Sequence, residues 1–545
     1  MFTKKQKQII SIIIASCIAA TFFLFLYSEI LNPKYDAWLL TSSADPAQHY
    51  MGWMMYKNSN WSFPLGVAKN YAYPIGLPIT FTDSIPLFAI IFKLFRHFMQ
   101  GGFQYFGIWL LVCFMMQSVF GYLLIKIFID SETIAILGST LFILSPIMLF
   151  NNFALAGHWL ILWGIWLIFK KHNSLQGWQW GLLFLLSLFT HPYIFFMNGF
   201  LMLTDVGMLF YVNKKIGAKQ IFIFFASEII WVLLLSYSLG IFIGQSHKGG
   251  YGSFSMNLIT LFNPADGWSK LLPYFPIGQY QLEGFNYLGA GILLLFVLSL
   301  SLALRKKKLY LIFKKYWPLL LICLILSMLA ISNVITFSNI ELINIKLPLY
   351  ITNNLLGTIQ ASGRMFWPVF YIILLFSFYI LKKSKFKITL FILIAAIALQ
   401  YFDLSGKLNQ LDNLFEKKIW SNPIDTKEWR EYSKDYEHIF FLPVIPDINY
   451  ASFTLYAAEN NLTVNNGYFA RSIKKLDKNI EEKIKDAKNG NYNCDTIYIF
   501  SRDIEYFYPN MDLKKHLLTP IYKAHILYPC YKQKHPETNF SAIIP

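Results

Sequence analysis

Charge is scarce in this sequence. Asp, Glu, Lys and Arg make up 14% of its 545 residues and 56% are hydrophobic. Soluble domains run near one quarter charged, so the composition excludes an ordinary soluble enzyme and points to a membrane protein. Familiar chemical motifs are absent too. No glycine-rich loop ends in Lys-Ser/Thr, and neither HExxH nor GxSxG occurs. Those absences remove a P-loop ATPase, a zinc protease of that class and a nucleophile-elbow hydrolase. No internal repeat or low-complexity tract is visible, which weighs mildly against a transporter built from inverted repeats. Cysteines number five. Cys17, Cys113 and Cys323 lie in apolar runs and read as packing residues. Cys494 and Cys530 lie in the polar C-terminal part, where a disulfide and two buried thiols are both compatible with the sequence.

What is abundant is long apolar runs. Spanning helices are expected at about Ile9–Glu29, Phe103–Phe128, Thr133–Phe150, Phe153–Phe169, Trp178–Thr190, Tyr193–Tyr211, Ile221–Ile243, Phe285–Leu304, Tyr316–Asn333, Met365–Leu381 and Ile388–Tyr401, eleven in all. The run Ile85–Phe95 is too short and carries Lys93, so it reads as an interfacial or half-inserted helix. The first run follows Lys4, Lys5 and Lys7. It is long for a signal-peptide core and lacks a small-x-small site before Pro33, so a retained helix is expected.

The formal charge of +17 is not a nucleic-acid signature. From Phe402 onward 19 basic residues meet 19 acidic ones, whereas the preceding part holds 28 basic against 11 acidic. With the N-terminus cytoplasmic and the runs alternating, 19 Lys and Arg fall in short cytoplasmic segments and nine in the longer outward loops. That bias is the positive-inside pattern. It places loops 31–102, 244–284 and 334–364 outside the cytoplasm, together with the tail. The domain division expected is residues 1–402 in the membrane and 403–545 as a soluble extracytoplasmic α/β domain. In the tail, His438–Leu442 and Thr496–Phe500 read as buried strands and Ile473–Lys488 as an amphipathic helix.

The first outward loop is the densest in polar and aromatic residues. In SSADPAQHYMGWMMY, Ser43 is placed to cap a helix beginning near Asp45 and Pro46. Asp45, His49 and Trp53 then share one face. A carboxylate at the positive end of a helix stays ionised and is suited to act as general base on a hydroxyl. A capping role is the plainer alternative for Asp45, with Asp36 as second carboxylate. His49 reads as an orienting group, a phosphate donor or a metal ligand. Trp53 and the aromatics after it offer stacking faces for sugar rings, although interfacial aromatics are expected anyway. Elsewhere outside, His158, Lys248, Glu283 and Arg364 are candidate substrate-binding residues. Arg364 stands at the outer mouth of a helix, where a guanidinium matches phosphate geometry; snorkelling is its alternative.

With these residues in place a resemblance becomes legible. A many-spanning chain with an acidic residue in a long first outward loop and a soluble tail resembles the GT-C superfamily of integral-membrane glycosyltransferases. More narrowly, SSADPAQHYMGW, FPLG, YPIGLPITFTDSIPL, AGHW, EGFNYLGAG and SGRMFW look like a bacterial multi-spanning family with a DPAQHYMGW-type first loop, over about residues 5–380. The resemblance implies a polytopic helical membrane protein and an inverting glycosyltransferase. The donor would be a polyprenyl-phosphate sugar, and the acceptor an envelope glycan or glycolipid outside the cytoplasmic membrane. Asp45, then Asp36, match the loop-one aspartate, and Arg364 matches the donor-phosphate cation. The paired Asp-Asp or Glu-Asp motif of some members is absent, which weakens a divalent-metal reading. A lipid or polysaccharide transporter and a non-catalytic envelope-assembly protein are the rival readings.

Overall fold

A computed structural model of the protein describes residues 3–41, 44–99, 101–149, 153–243, 245–246, 250–305, 309–348, 350–352, 356–414, 419–442, 450–501, 524–527 and 529–530. Ser43, Lys248 and the asparagines 151 and 152 lie outside them. Helix dominates. Among the described residues seven helical segments are long and apolar enough to cross a membrane: Lys4–Leu31, Phe106–Phe128, Pro192–Val212, Ala218–Ser238, Leu309–Ile331, Ser362–Leu381 and Phe386–Leu411. Four shorter apolar helices stand at the other expected positions, namely Glu132–Ile143, Phe153–Phe169, Gly177–Leu188 and Ala290–Arg305. The chain is therefore a multi-pass membrane protein. Hydropathy alone overstated the length of several runs because proline and turn residues stop the helices early. Ser145-Pro146, for example, breaks the run that begins near Thr133.

The residues cluster into two compact units, and the division does not follow the sequence boundary expected at residue 402. One unit holds residues 1–32, 106–235 and 247–416; the other holds 33–105, 236–246 and 417–545. In the first, the helix Phe106–Phe128 packs against Lys4–Tyr27, Glu132–Ile143 and His158–Phe169. Its buried Gln117 donates to the Tyr371 hydroxyl at 2.8 Å and to the Phe142 carbonyl at 3.3 Å. Such pairing is required because an unsatisfied amide among apolar helices costs several kcal/mol.

The last long helix, Phe386–Leu414, carries two residues that cap another helix. Gln400 Oε1 accepts from the Gly291 and Ile292 amides at 3.0 and 3.1 Å. Asp403 Oδ2 accepts from the Ala290 amide at 3.0 Å and the Tyr287 hydroxyl at 2.7 Å, while Oδ1 takes the Ser269 hydroxyl. Four orphan amides open every helix, so this satisfies most of those at the start of Ala290–Arg305 from a neighbour rather than from its own turn. The Leu-Gly-Ala-Gly stretch preceding that helix follows from the geometry. Gly289 has φ +82°, and a Cβ on Gly291 would stand 2.0 Å from the Ala396 carbonyl oxygen.

The second unit is built on a four-stranded sheet in the order Ala524–Leu527, Thr496–Ser501, His438–Leu442, Thr463–Val464. The first pairing is antiparallel and the other two are parallel. The parallel connections run through the helices Tyr450–Glu459 and Lys474–Lys488. Ile439, Phe441, Ile497, Ile499 and Ile526 are buried, and the near-continuous apolar strands reflect a sheet covered on both faces. Cys494 and Cys530 are joined as a disulfide across 36 residues, with Cα atoms 5.3 Å apart.

The first loop belongs to this sheet domain. Tyr71 bridges Val464 in parallel sense, with Val464 N–H donating to the Asn70 carbonyl at 2.9 Å and Tyr73 N–H to the Val464 carbonyl at 3.0 Å. Ala470 N–H donates to the Phe81 carbonyl at 2.8 Å. The helix Ala44–Asn58 packs against Tyr450–Glu459. The loop therefore finds the backbone partners that a 70-residue irregular segment needs by extending the edge of a sheet almost 400 residues downstream.

Candidate functional site

The helix Ala44–Asn58 presents Asp45, His49 and Trp53 on one face, but their surroundings differ. His49 and Trp53 are 3% and 0% exposed. His49 Nδ1 pairs with the Thr82 carbonyl at 2.8 Å, and the Ser84 hydroxyl donates to the His49 carbonyl at 2.6 Å. Trp53 Nε1 donates to the Phe103 carbonyl at 2.6 Å, and its ring meets Tyr105 edge-on at 4.9 Å. Gly52 lies between them because a Cβ there would stand 2.0 Å from Thr82 Oγ1. These two candidates for substrate binding thus contact the turn 79–84 and the irregular segment 103–105. Helical spacing correctly put them on one face, but it could not reveal that the loop itself covers that face.

Asp45 remains exposed at the start of the helix. Its charge acts on the phenols of Tyr450 and Tyr468. Burial is the main cause that raises both phenols above their ordinary value, with Asp45 adding to it. Asp83, in a left-handed turn at φ 50°, also acts on Tyr468. The Tyr450 and Tyr468 rings are stacked at 6.5 Å. A carboxylate beside two tyrosines is an arrangement able to take a proton from a hydroxyl and lie along a sugar ring.

Asp36 is half-buried. The Tyr50 hydroxyl donates to its Oδ2 at 2.8 Å. Burial raises the Asp36 carboxyl, and the bonds from Tyr50 and the backbone oppose the rise. Two more titratable groups join this cluster. Lys57, 3% exposed, donates to the Gly101 carbonyl at 2.7 Å, and burial lowers its ammonium to about 8 against a pull from Glu459. Burial raises Glu459, and the charges of Asp425 and Asp36 add to the effect. Asn58 bonds the Ala458 carbonyl, which fixes the end of the helix bearing Glu459. Nothing local in the sequence marked Lys57 or Glu459, because their coupling depends on two segments four hundred residues apart.

In the other unit a small pocket brings together three further candidates: His158, Glu283 and Arg364, with Trp367, Phe285 and Met148 around them. Arg364 sits in the 3-10 turn Ser362–Phe366 and pairs directly with the Glu283 carboxylate. Its guanidinium also lies 5.3 Å from the Tyr193 ring centroid. The pair is aligned by Asn286, whose Nδ2 donates to the Gly284 carbonyl at 3.0 Å and the Gly363 carbonyl at 3.1 Å. Asn286 went unnoticed in the sequence; its place in the EGFN stretch is the only signal it left. His158 lies over the Trp367 ring at 4.2 Å and pairs through Nδ1 with the Tyr371 hydroxyl at 2.8 Å. About 10 Å³ of free space remains, room for about one water. A phosphate on Arg364 would therefore have to displace Glu283. Among the described residues no three His, Cys, Asp or Glu side chains gather as a metal-binding group.

The profile of a family described as a domain of unknown function, DUF6311, matches residues 15–405, and that of the DUF6311 C-terminal domain matches residues 428–520. No curated protein matches the chain. The first match alone covers well over half of the sequence, and the chain belongs to the DUF6311 family.

Proposed function

We propose that the protein is an inverting glycosyltransferase of the cell envelope that uses a polyprenyl-phosphate sugar. The observation that carries the reading is the pocket in which Arg364, His158 and Glu283 converge from segments spread over about 200 residues. Clustered polar groups within membrane helices mark substrate paths more often than structural features. Arginine offers a fixed fork of donors for a phosphate monoester or diester.

In this reading the donor phosphate binds Arg364 and Glu283 swings away. Asp45 takes the proton of an acceptor hydroxyl, the oxygen attacks the anomeric carbon, and the bond from that carbon to the phosphate oxygen breaks. The electron pair leaves with polyprenyl phosphate, whose added charge Arg364 stabilises, and the sugar inverts. Asp36 is the second carboxylate, within reach of Tyr50 for proton exchange. The acceptor is a glycan or glycolipid, lying along Tyr450 and Tyr468. No divalent metal is assigned a role.

The reading places the protein in the cytoplasmic membrane with eleven spans, the N-terminus inside and the sheet domain outside. The charge bias supports that orientation, and the Cys494–Cys530 disulfide supports an oxidising compartment for the sheet domain. The test is mass spectrometry of envelope glycans from a deletion strain complemented with wild type or Asp45→Asn. The expected outcome is a missing sugar in the deletion strain and in Asp45→Asn, with membrane insertion intact. Full glycan restoration by Asp45→Asn would overturn the mechanism, and glycan intermediates accumulating in the cytoplasm would favour a transporter.

A further inference from the structure

A second cavity, of about 410 Å³, lies in the membrane unit and is distinct from the Arg364 pocket. That volume is in the range of small-molecule sites. Its walls carry Asp266, Trp268, Tyr274, Gln279, Leu282 and Lys407.

The frame around it is held by buried polar ties. Asn263 closes the segment 263–275 by donating to the Phe275 carbonyl and accepting from the Phe275 amide, both at 2.8 Å. Asp403 pins the far end through Ser269 and through its own carbonyl, which accepts from the Lys270 amide at 2.9 Å. Gln281 donates to Thr336 Oγ1 at 2.7 Å and to Ser255 Oγ at 3.1 Å. The side chains that face the cavity are not part of this frame. Among the described residues Asp266, Tyr274 and Gln279 make no side-chain hydrogen bond or ion pair. The Lys407 ammonium rests 5.3 Å from the Trp268 ring centroid without a carboxylate partner. One anion and one cation thus line the same space without pairing with each other.

The surroundings are apolar. Leu271, Phe275 and Tyr280 are exposed beside Tyr274 and Leu282, which are exposed themselves. A rim of exposed leucine and aromatic rings in a membrane protein matches the interfacial belt, where acyl chains meet head groups.

We propose that this cavity binds a zwitterionic phospholipid with a primary ammonium in its head group, the phosphate against Lys407 and the ammonium against Asp266. An anionic head group would leave Asp266 facing a like charge or none. A quaternary ammonium has no N–H to donate to the Asp266 carboxylate. The apolar rim takes the first part of the acyl chains, which commits the site to a lipid rather than to a soluble phosphate ester.

Native mass spectrometry of the delipidated full-length protein in detergent tests this with phosphatidylethanolamine, phosphatidylcholine and phosphatidylglycerol of equal chain length. Phosphatidylethanolamine should be retained about tenfold better than the other two, the effect of one charge-assisted hydrogen bond. Asp266→Asn should remove that preference, Lys407→Gln should lower retention of all three lipids alike, and Lys407→Arg should keep both retention and preference. Asp266 is exposed, so its variant tests the site without endangering the fold. Equal retention of the three lipids, a preference for phosphatidylglycerol, or unchanged retention in Asp266→Asn would overturn the proposal. Binding of glycerophosphoethanolamine as tight as that of the lipid would overturn the role of the acyl rim.

Discussion

Asp403→Ala is the substitution whose cost the structure defines most sharply. The carboxylate is fully buried and accepts from Tyr287, Ala290 and Ser269. Truncation strands the Tyr287 hydroxyl and the Ala290 amide, each costing about 1–3 kcal/mol. It also removes a negative charge from the start of the helix Ala290–Arg305, worth about 1 kcal/mol. The Ser269 hydroxyl loses least, because it can rotate. The sum is about 4 kcal/mol. The unit spans roughly 330 residues, and an unfolding entropy of about 2.1 cal/mol/K per residue converts this to a fall of about 6 °C in melting temperature. Asp403→Asn should behave differently. With its carbonyl oxygen facing Tyr287 and the Ala290 amide it keeps those two bonds, and it loses the charge and the Ser269 bond, because Ser269 Oγ already accepts from the Leu271 and Leu272 amides; the loss is about 2 kcal/mol. Thermal unfolding in detergent, followed by intrinsic tryptophan fluorescence, measures both. The reasoning fails if Asp403→Ala melts within a degree of wild type, or if Asn is as damaging as Ala.

Two further predictions concern the sheet domain. The Lys57 ammonium is lowered to about 8 in the folded state, so its contribution is present above the unfolded value of about 10.4 and is lost as pH falls through about 8. Wild type should therefore gain about 3 kcal/mol between pH 8 and pH 10.5 relative to Lys57→Met, read as the difference in melting temperature; parallel pH curves would refute it. The disulfide closes 36 residues, and the loop-entropy relation gives about 4 kcal/mol. Cys494→Ser with Cys530→Ser should destabilise the sheet domain by that order. In cells Cys494 and Cys530 should resist alkylation before reduction; alkylation of either without reductant would argue against the expected outward location.

Much of the fold was legible from local pattern. Apolar runs gave away all seven long helices, because a membrane-spanning helix satisfies its own backbone and must be apolar along its length. The short strands His438–Leu442 and Thr496–Ser501 and the helix Lys474–Lys488 stand where composition and periodicity placed them. The acid Asp45, at the exposed start of its helix, was likewise visible. The roles of His49 and Trp53 were not. Both are buried against residues 82 and 103, and periodicity cannot name the neighbour that covers a face. Asp403 was misread for a related reason. As the first charged residue after an apolar run it looked like the start of the soluble tail, yet the helix continues to Leu414 and uses that charge to cap another helix.

The sequence by itself determined that this chain lives in a membrane and roughly where its helices run. Those properties are sums over adjacent residues. Only the tertiary structure decided that the first loop and the tail form one sheet domain, that Lys57 and Glu459 feel each other's charge, and that Arg364 meets Glu283. Each of these joins segments separated by 81 to about 400 residues. Their cause is the search of buried backbone and charge for partners, which has no periodicity in the chain to betray it.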